Sequence, residues 1–372
     1  MSPPTIRRST PADDAALCEL FGRVTMDADL VLSVCRDPDF AALYRLQTDV
    51  WETWVAEVDG RLQGMGSILV RDGYVDGRRS RVGYLGDLRI APALRGRHLL
   101  NRFYGPALRE MAATHGCTLF LTAVIASNDR ALRALTSENR RTRGRPRYSL
   151  LREFNIRSLH LTRGRRRAKT RFSVRQATEG EVPRIARLLD EDARQRPFGY
   201  CFQEAELRRR LGSWPGLAPE SFYLAEDAGG MLVGCIAIWD ARAVKRMVVR
   251  EYRGGMRGVK RAYNLAAWLL RFPPLPRTGE AFRYLYLTHQ AIPSEDPEIM
   301  GALLDAVHAD HRRSGYHFLS VCVLDDDPLE PAFRGFRTTD LPAHLYLVTL
   351  PEMAADPERF GQARPGFEMA LV

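Results

Sequence analysis

The sequence has almost no lysine. Of its 55 basic residues 52 are arginine, leaving only Lys169, Lys245 and Lys260, which reflects a GC-rich genome as much as chemistry. Long apolar runs are also missing. The most apolar window, residues 266–270 with their neighbours, is too short and too close to arginines to span a bilayer. The first residues, MSPPTIRRSTPADDAALCELF, show no long apolar stretch after their charges, so no secretory signal is read there and a cytoplasmic protein is expected. Cys18, Cys35, Cys117, Cys201, Cys235 and Cys322 are far apart and form no C-x-x-C pair. That excludes a zinc ribbon or a dithiol redox motif and reads as buried thiols in a reducing compartment. Also absent are the G-x-x-x-x-G-K-[ST] and G-x-G-x-x-G phosphate loops, the H-E-x-x-H zinc helix and the G-x-S-x-G nucleophile turn.

What is present is a soluble, globular composition. There are 372 residues, 45% hydrophobic and 27% charged, a length that suggests two domains. The net charge of +10 is unevenly placed: residues 140–171 carry 13 basic residues and one acid, Glu153, so that segment is +12 and the remainder −2. Such a run could hold phosphates or an acidic partner. With no nucleic-acid motif beside it, a solvated strap is the simpler reading, and nucleic acid is not an expected partner.

The chain also repeats itself. Ile6-Arg7-Arg8-Ser9-Thr10, then Asp13, Leu17 and Leu20-Phe21, recurs as Val174-Arg175-Gln176-Ala177-Thr178, then Glu181, Ile185 and Leu188-Leu189. Each copy reads as a short strand, a Ser/Thr cap with acids in the first turn, and a helix. Trp54 to Gly66 and Phe222 to Cys235 both read as hairpins, turning at Asp59-Gly60 and Gly229-Gly230. In each copy a strand then leads to a helix, a glycine stop (Gly116, Gly315) and another strand. The expected fold is α/β, a mixed sheet with helices on its faces, built twice: residues 1–162, a basic linker 163–171, and residues 172–372. The second copy carries an insert, 241–280. Its basic stretch (Lys245, Arg246, Arg250, Arg253, Arg257, Lys260, Arg261) precedes a short helix around Tyr263 to Arg271 and a proline-rich exit. The insert could form a lid, an interface element or a helix touching lipid headgroups. The expected arrangement is a helix packing its Trp268/Leu269 face on the domain.

The chemistry gathers in Leu88-Arg89-Ile90-Ala91-Pro92-Ala93-Leu94-Arg95-Gly96-Arg97-His98-Leu99-Leu100. A strand ends, a tight Arg-Gly-Arg turn follows and a long helix begins. Free N–H groups and a partial positive charge at that helix start suit a diphosphate. Gly96 permits close backbone approach, and Arg95 and Arg97 add donors. Here the chain resembles the GNAT acyltransferase superfamily: Leu88, Ile90 and Pro92 match its strand end, Gly96 its first turn glycine, and Asn128 the asparagine after the next strand. Ala93 and His98 depart from the usual residues. The resemblance implies two tandem GNAT-like acyl-CoA N-acyltransferase domains. It implies that Leu88, Arg89, Ile90, Arg95, Gly96, Arg97, His98, Leu99, Leu100 and Asn128 bind the co-substrate, acetyl-CoA being expected. The acceptor would be a small-molecule or peptide amine.

In the second copy the matching turn reads Pro293-Ser294-Glu295-Asp296-Pro297-Glu298, with Ser294 as the expected cap and carboxylates that would repel an anion. The second copy is therefore expected to be a degenerate partner. The resemblance further implies a base and an acid for direct transfer. Asp87, Tyr84 and Glu57 are the candidate bases and Tyr148 the candidate acid. A catalytically silent acyl-CoA binder is the first alternative, and a nucleic-acid-associated protein using residues 140–171 the second. His308 and His311, at i and i+3, read as a helix C-terminus rather than metal ligands, and no metal is expected. Neither an integral membrane protein nor a fixed oligomeric state is implied; a homo-oligomer is compatible with the sequence.

Overall fold

In the computed structural model, residues 3–26, 29–94, 99–136, 145–162, 169–353, 357–360 and 363–372 are described. The first repeat contains β1 (Thr5–Arg8), α1 (Asp14–Arg23), β2 (Thr25–Met26), β3 (Leu30–Cys35), α2 (Ala42–Arg45), β4 (Val50–Val58), β5 (Arg61–Val75) and β6 (Arg78–Ile90). It continues through α3 (Leu99–His115), β7 (Phe120–Ile125), α4 (Asp129–Thr136) and β8 (Arg147–His160). The second repeat contains β9 (Ser173–Gln176), α5 (Val182–Arg194), β10 (Gly199–Tyr200), α6 (Glu204–Ser213), β11 (Phe222–Glu226) and β12 (Leu232–Trp239). After the insert elements β13 (Arg246–Tyr252) and α7 (Met256–Leu270) it closes with β14 (Tyr284–Ala291), α8 (Pro297–His311), β15 (Phe318–Leu324) and β16 (Thr338–Thr349).

The duplication reaches down to single side chains. Thr10 and Asp13 form a capping box before α1, and Thr178 and Glu181 form the same box before α5. Arg7 pairs with both Asp13 and Glu57 (2.7 and 2.8 Å), while Arg175 pairs with both Glu181 and Glu226 (2.6 and 2.9 Å). Each arginine thereby ties its outermost strand to the first helix and the neighbouring strand. Asp59 and Gly60 both have positive φ (49° and 73°), the backbone a tight hairpin turn demands.

One sheet runs through both repeats, in the order β1-β4-β5-β6-β7-β16-β8-β15-β14-β12-β11-β9. Among the described residues only β6–β7 and β14–β15 pair in parallel. At the centre the last strands cross over: β16, the end of the second repeat, lies between β7 and β8 of the first, and the second half of β8, Phe154 to His160, pairs with β15. Neither repeat closes its own sheet, so the edges that would otherwise lie exposed are paired. A small second sheet, β13-β3-β2, joins the insert to the first repeat. The apolar core at the seam draws on both, with Leu43, Leu46 and Tyr74 beside Trp214, Phe222 and Trp239.

Three expectations are corrected. The insert helix begins at Met256, a full two turns before Tyr263. Its Trp268/Leu269 face does not pack on the domain: Trp268 is 77% exposed, because the inner face is formed by Met256, Lys260, Tyr263, Asn264 and Ala267 instead. The cap of α8 is Asp296, whose carboxylate accepts from the Glu298 N–H (2.8 Å), rather than Ser294. Among the described residues no helix is long and apolar enough to cross a membrane.

Candidate functional site

β6 and β7 pair at only two rungs, Gly83 with Phe120 and Tyr84 with Leu121. Beyond them the strands diverge into a V. Thr122 Oγ1 bridges its apex, donating to the Leu85 carbonyl (2.8 Å). On its other edge β6 is still held by β5, through Arg89 with Met65 and Ile90 with Gly64. Leu88, Arg89 and Ile90 therefore present to the V a strand edge that no strand among the described residues pairs, a surface onto which an extended ligand can add. Between Gly86 and Arg89 the register slips, and Asp87 adopts φ 57°. This is a β-bulge, which turns backbone groups out of the ladder.

Asp87 is heavily held. Arg36 meets its carboxylate at 2.7 and 3.2 Å, and the Tyr44 hydroxyl donates a short bond to it while also contacting Ser67 (2.8 Å). Burial alone would raise the Asp87 pKa, but Arg36, Arg89 and the Tyr44 hydroxyl outweigh it and hold the carboxyl below its ordinary range. Arg36 is itself buried, stacked over Phe21, Phe40 and Tyr44. Arg89 lies over Phe21 at 4.6 Å with a buried Nε that has no hydrogen-bond partner among the described residues. Two guanidinium groups face one carboxylate, so the cluster keeps a surplus positive charge. Tyr84 stands beside Asp87, its phenol kept neutral by burial, with the Asp87 charge adding to the effect.

Both parallel strands run out to helix starts at the same end of the sheet. β6 leads to α3, and β7 leads to α4, where Asn128 Oδ1 accepts from the Ala131 N–H (3.2 Å) as its cap. A helix thus begins after each strand of the V. Arg95, Gly96, Arg97 and His98 lie outside the described residues, as do the side chains of Leu99 and Leu100.

The other two candidates are not brought to the V. Glu57 lies on β4, two strands from β6, bound to Arg7 in the repeated edge triad. Tyr148 pairs with Val348, which pairs with Phe120, so it lies level with the closed end of the V. Two strands separate it from β6, and it packs against the Tyr104 side of the sheet.

The second repeat has the same construction, filled from within. β14 and β15 pair for only three rungs, and a bulge recurs with His289 at φ 47° in the place of Asp87. Residues 363–372 run into this second V. Glu368 accepts from the His289 N–H (3.0 Å) and from Thr288 Oγ1 (2.6 Å), so a side chain of the protein already occupies the bulge. Gly366 is required there, since a Cβ would lie 2.3 Å from the Gly199 Cα. A cavity of about 80 Å³ remains, lined by Gln290, Cys322, Arg364 and Glu368 among others. The tail then crosses to the first repeat, where Phe367 contacts Tyr84 and Gln47 Nε2 donates to the Leu371 carbonyl (2.7 Å).

The sequence reading missed the partners of Asp87 and the burial of Lys245. Grouped by sequence with the basic stretch of the insert, Lys245 is buried and donates to the Ala370 carbonyl and to a main-chain oxygen of Val372. The alternation of β13 hinted at this only by setting Lys245 just before a strand. Among the described residues, no group of three or more His, Cys, Asp or Glu side chains is arranged to hold a metal ion. His311 instead meets the Tyr223 hydroxyl at 3.4 Å.

Residues 26–137, which include both strands of the V, match the model of the acetyltransferase (GNAT) family. No curated protein is similar in sequence. Among solved structures, a GCN5-related N-acetyltransferase from Sphaerobacter thermophilus superposes with a TM-score of 0.56 at 15% identity, covering 99% of this chain and 98% of that one. The Saccharomyces cerevisiae N-myristoyltransferase with bound myristoyl-CoA gives 0.61 at 11% identity, covering 99% and 90%. A conserved protein from Enterococcus faecalis V583, described as a probable N-acyltransferase, gives 0.51 at 9% identity, covering 94% and 73%. At these identities the likeness is one of fold: a large mixed α/β sheet of two GNAT-like repeats.

Proposed function

We propose, from the GNAT domain of residues 26–137 and the strand opening within it, that this protein transfers an acyl group from an acyl-CoA thioester directly to an amine. The single observation that carries the reading is the V between β6 and β7, with its bulge at Asp87 and its unpaired edge at Leu88, Arg89 and Ile90. The pantetheine arm adds to that edge as a strand would. The diphosphate goes to the start of α3, to Arg95, Gly96, Arg97, His98, Leu99 and Leu100, with Asn128 beside it. A bulge amide polarises the thioester carbonyl. The amine nitrogen bonds to the carbonyl carbon, the C–S bond breaks, the amine loses a proton to solvent water and the thiolate gains one. Tyr84, neutral and beside the bulge, is the proposed proton donor to the thiolate, and Asp87, already ion-paired, is a positioning residue that holds the bulge.

Residues 1–162 are the proposed catalytic unit and residues 172–372 a degenerate one, joined by 163–171. The support is that Glu368 fills the second bulge. Acetyl is the proposed acyl group, since the family model that residues 26–137 match is an acetyltransferase one. Thiol release from CoA thioesters of increasing chain length, with a panel of amines, tests this. Turnover is expected with acetyl-CoA and is expected to fall as the chain lengthens. A preference for long chains would overturn the acetyl assignment. A second reading, a silent acyl-CoA binder, is favoured by the ion pair that occupies Asp87; saturable binding without thiol release on any amine would establish it.

Glu57→Gln is expected to leave thiol release within about twofold of the parent. Its half-exposed pair with Arg7 is worth about 1 kcal/mol or less. A large loss of turnover without loss of fold would return Glu57 to the reaction.

A further inference from the structure

Helix α7 is amphipathic in the wrong sense for a surface helix. Its inner face is fastened by polar and aromatic contacts: Asn264 Oδ1 accepts from the Leu275 N–H (2.8 Å), Lys260 lies over the Tyr252 ring at 4.2 Å, and Tyr263 stacks edge-on to Phe272. Its outer face is apolar. Val259, Leu265, Trp268, Leu269 and Leu270 are 52%, 61%, 77%, 63% and 72% exposed, half of all the large hydrophobic residues exposed among the described ones. A contiguous apolar face of this kind marks an interaction surface.

The charge around it identifies the occupant. Residues 253–277 contain six cations, Arg253, Arg257, Lys260, Arg261, Arg271 and Arg277, and no acid. Arg257 and Arg261 lie along the outer face beside the leucines, and Arg271 caps its end. Arg261 and Arg271 have no acidic partner among the described residues; Arg257 meets Glu251 only at 4.0 Å. A tryptophan and leucines ringed by arginines are complementary to an anionic bilayer, where the rings and aliphatic chains enter the acyl boundary and the guanidinium groups meet phosphate. A second copy of this chain would bring six cations against six. We infer that α7 docks the protein, lying in the plane of the interface, on a membrane surface bearing anionic phospholipid.

The test uses the full chain with vesicles of phosphatidylcholine alone or mixed with phosphatidylglycerol. Co-sedimentation is expected to be at least about tenfold greater on the anionic vesicles and to weaken with added salt. Trp268 is the one strongly exposed tryptophan of the five, so lipid should shift the emission to the blue, and the shift should vanish in W268F. The variants L265S/L269S and R257Q/R261Q/R271Q should each lose about tenfold in vesicle binding at an unchanged melting temperature, since these side chains are exposed. Equal binding to both vesicles, or binding to neither, overturns the inference. So does lipid-free dimerisation that L265S/L269S abolishes.

Discussion

Replacing Arg36 with methionine is expected to lower folding stability by about 3–5 kcal/mol, because it leaves a buried carboxylate without its main counter-charge. The Arg36 side chain is 1% exposed and its guanidinium meets Asp87 at 2.7 Å inside a cage of Phe21, Phe40 and Tyr44. Methionine fills much of that cage, so the loss measures the charge rather than a void. The pH dependence gives the effect its signature. In the parent, Asp87 is held below the ordinary carboxylate range, so it contributes stability above its unfolded pKa that disappears as the pH falls through the folded one. Without Arg36, burial, the largest influence on this group, pushes Asp87 upward instead. The variant's deficit should then be widest at neutral pH and close toward acid, as the carboxyl takes up a proton. R36M/D87N should recover part of the loss, because the charge that needed the arginine is gone. Thiol release should fall as well, since Asp87 holds a non-glycine residue at φ 57° and that backbone persists only where its surroundings fix it. Chemical denaturation at neutral and acid pH, for both variants, checks the whole set. A loss below about 1 kcal/mol with no pH dependence would show that the pair is dispensable.

Much of this architecture was legible in the residues, and what was not shows which forces the one-dimensional pattern omits. The repeated caps and hairpin turns could be read because they are local: Thr10 with Asp13, and Asp59 with Gly60, each specify their own backbone. The strand-turn-helix order around residues 84–100 was legible, whereas the V beside it followed only from the family resemblance. The crossing of β8 and β16 could not be read, because alternation tells a strand which face is buried but not which neighbour it has. The same limit misplaced Trp268: helical spacing places leucines on a stripe, and only the tertiary structure decides whether the stripe faces in or out. Glu57 was singled out for its position beside a hairpin, yet the arginine that binds it stands 50 residues earlier. The plug in the second V had no motif at all. It depends on Gly366 meeting Gly199 and on Glu368 meeting one bulge amide, contacts between segments more than 70 residues apart in the chain.

Lys245 is expected to make the protein more stable as pH rises from about 7 toward 10. The side chain is 3% exposed, rests 4.7 Å above the Tyr286 ring and donates to the Ala370 carbonyl and to a main-chain oxygen of Val372. Burial, helped by the like charge of Arg36 and opposed by Asp87, brings its pKa from 10.5 down to about 7. Between those values the unfolded chain holds a proton that the native lysine has largely released. The unfolded state therefore binds more protons, and the unfolding free energy rises with pH by up to about 1.4 kcal/mol per unit. Below pH 7 both states are protonated and the contribution is flat, at its least favourable. Other groups interfere at the alkaline end: the buried tyrosines and thiols, whose pKa values are raised, protect their protons in the native state and pull stability down where the unfolded chain ionises. Comparison with Lys245→Met removes them, since they are common to both proteins. The variant loses the hydrogen bonds to Ala370 and Val372 but never holds a buried charge. It should be the more stable protein at pH 6 and the less stable at pH 10, the two curves crossing between. The tail that Lys245 fastens is the one that fills the second V, so acid should also speed proteolysis within residues 363–372 of the parent and not of the variant. Parallel stability curves for the two proteins across that range would mean that Lys245 keeps its proton in the core, and that its cost is met by groups other than those it touches.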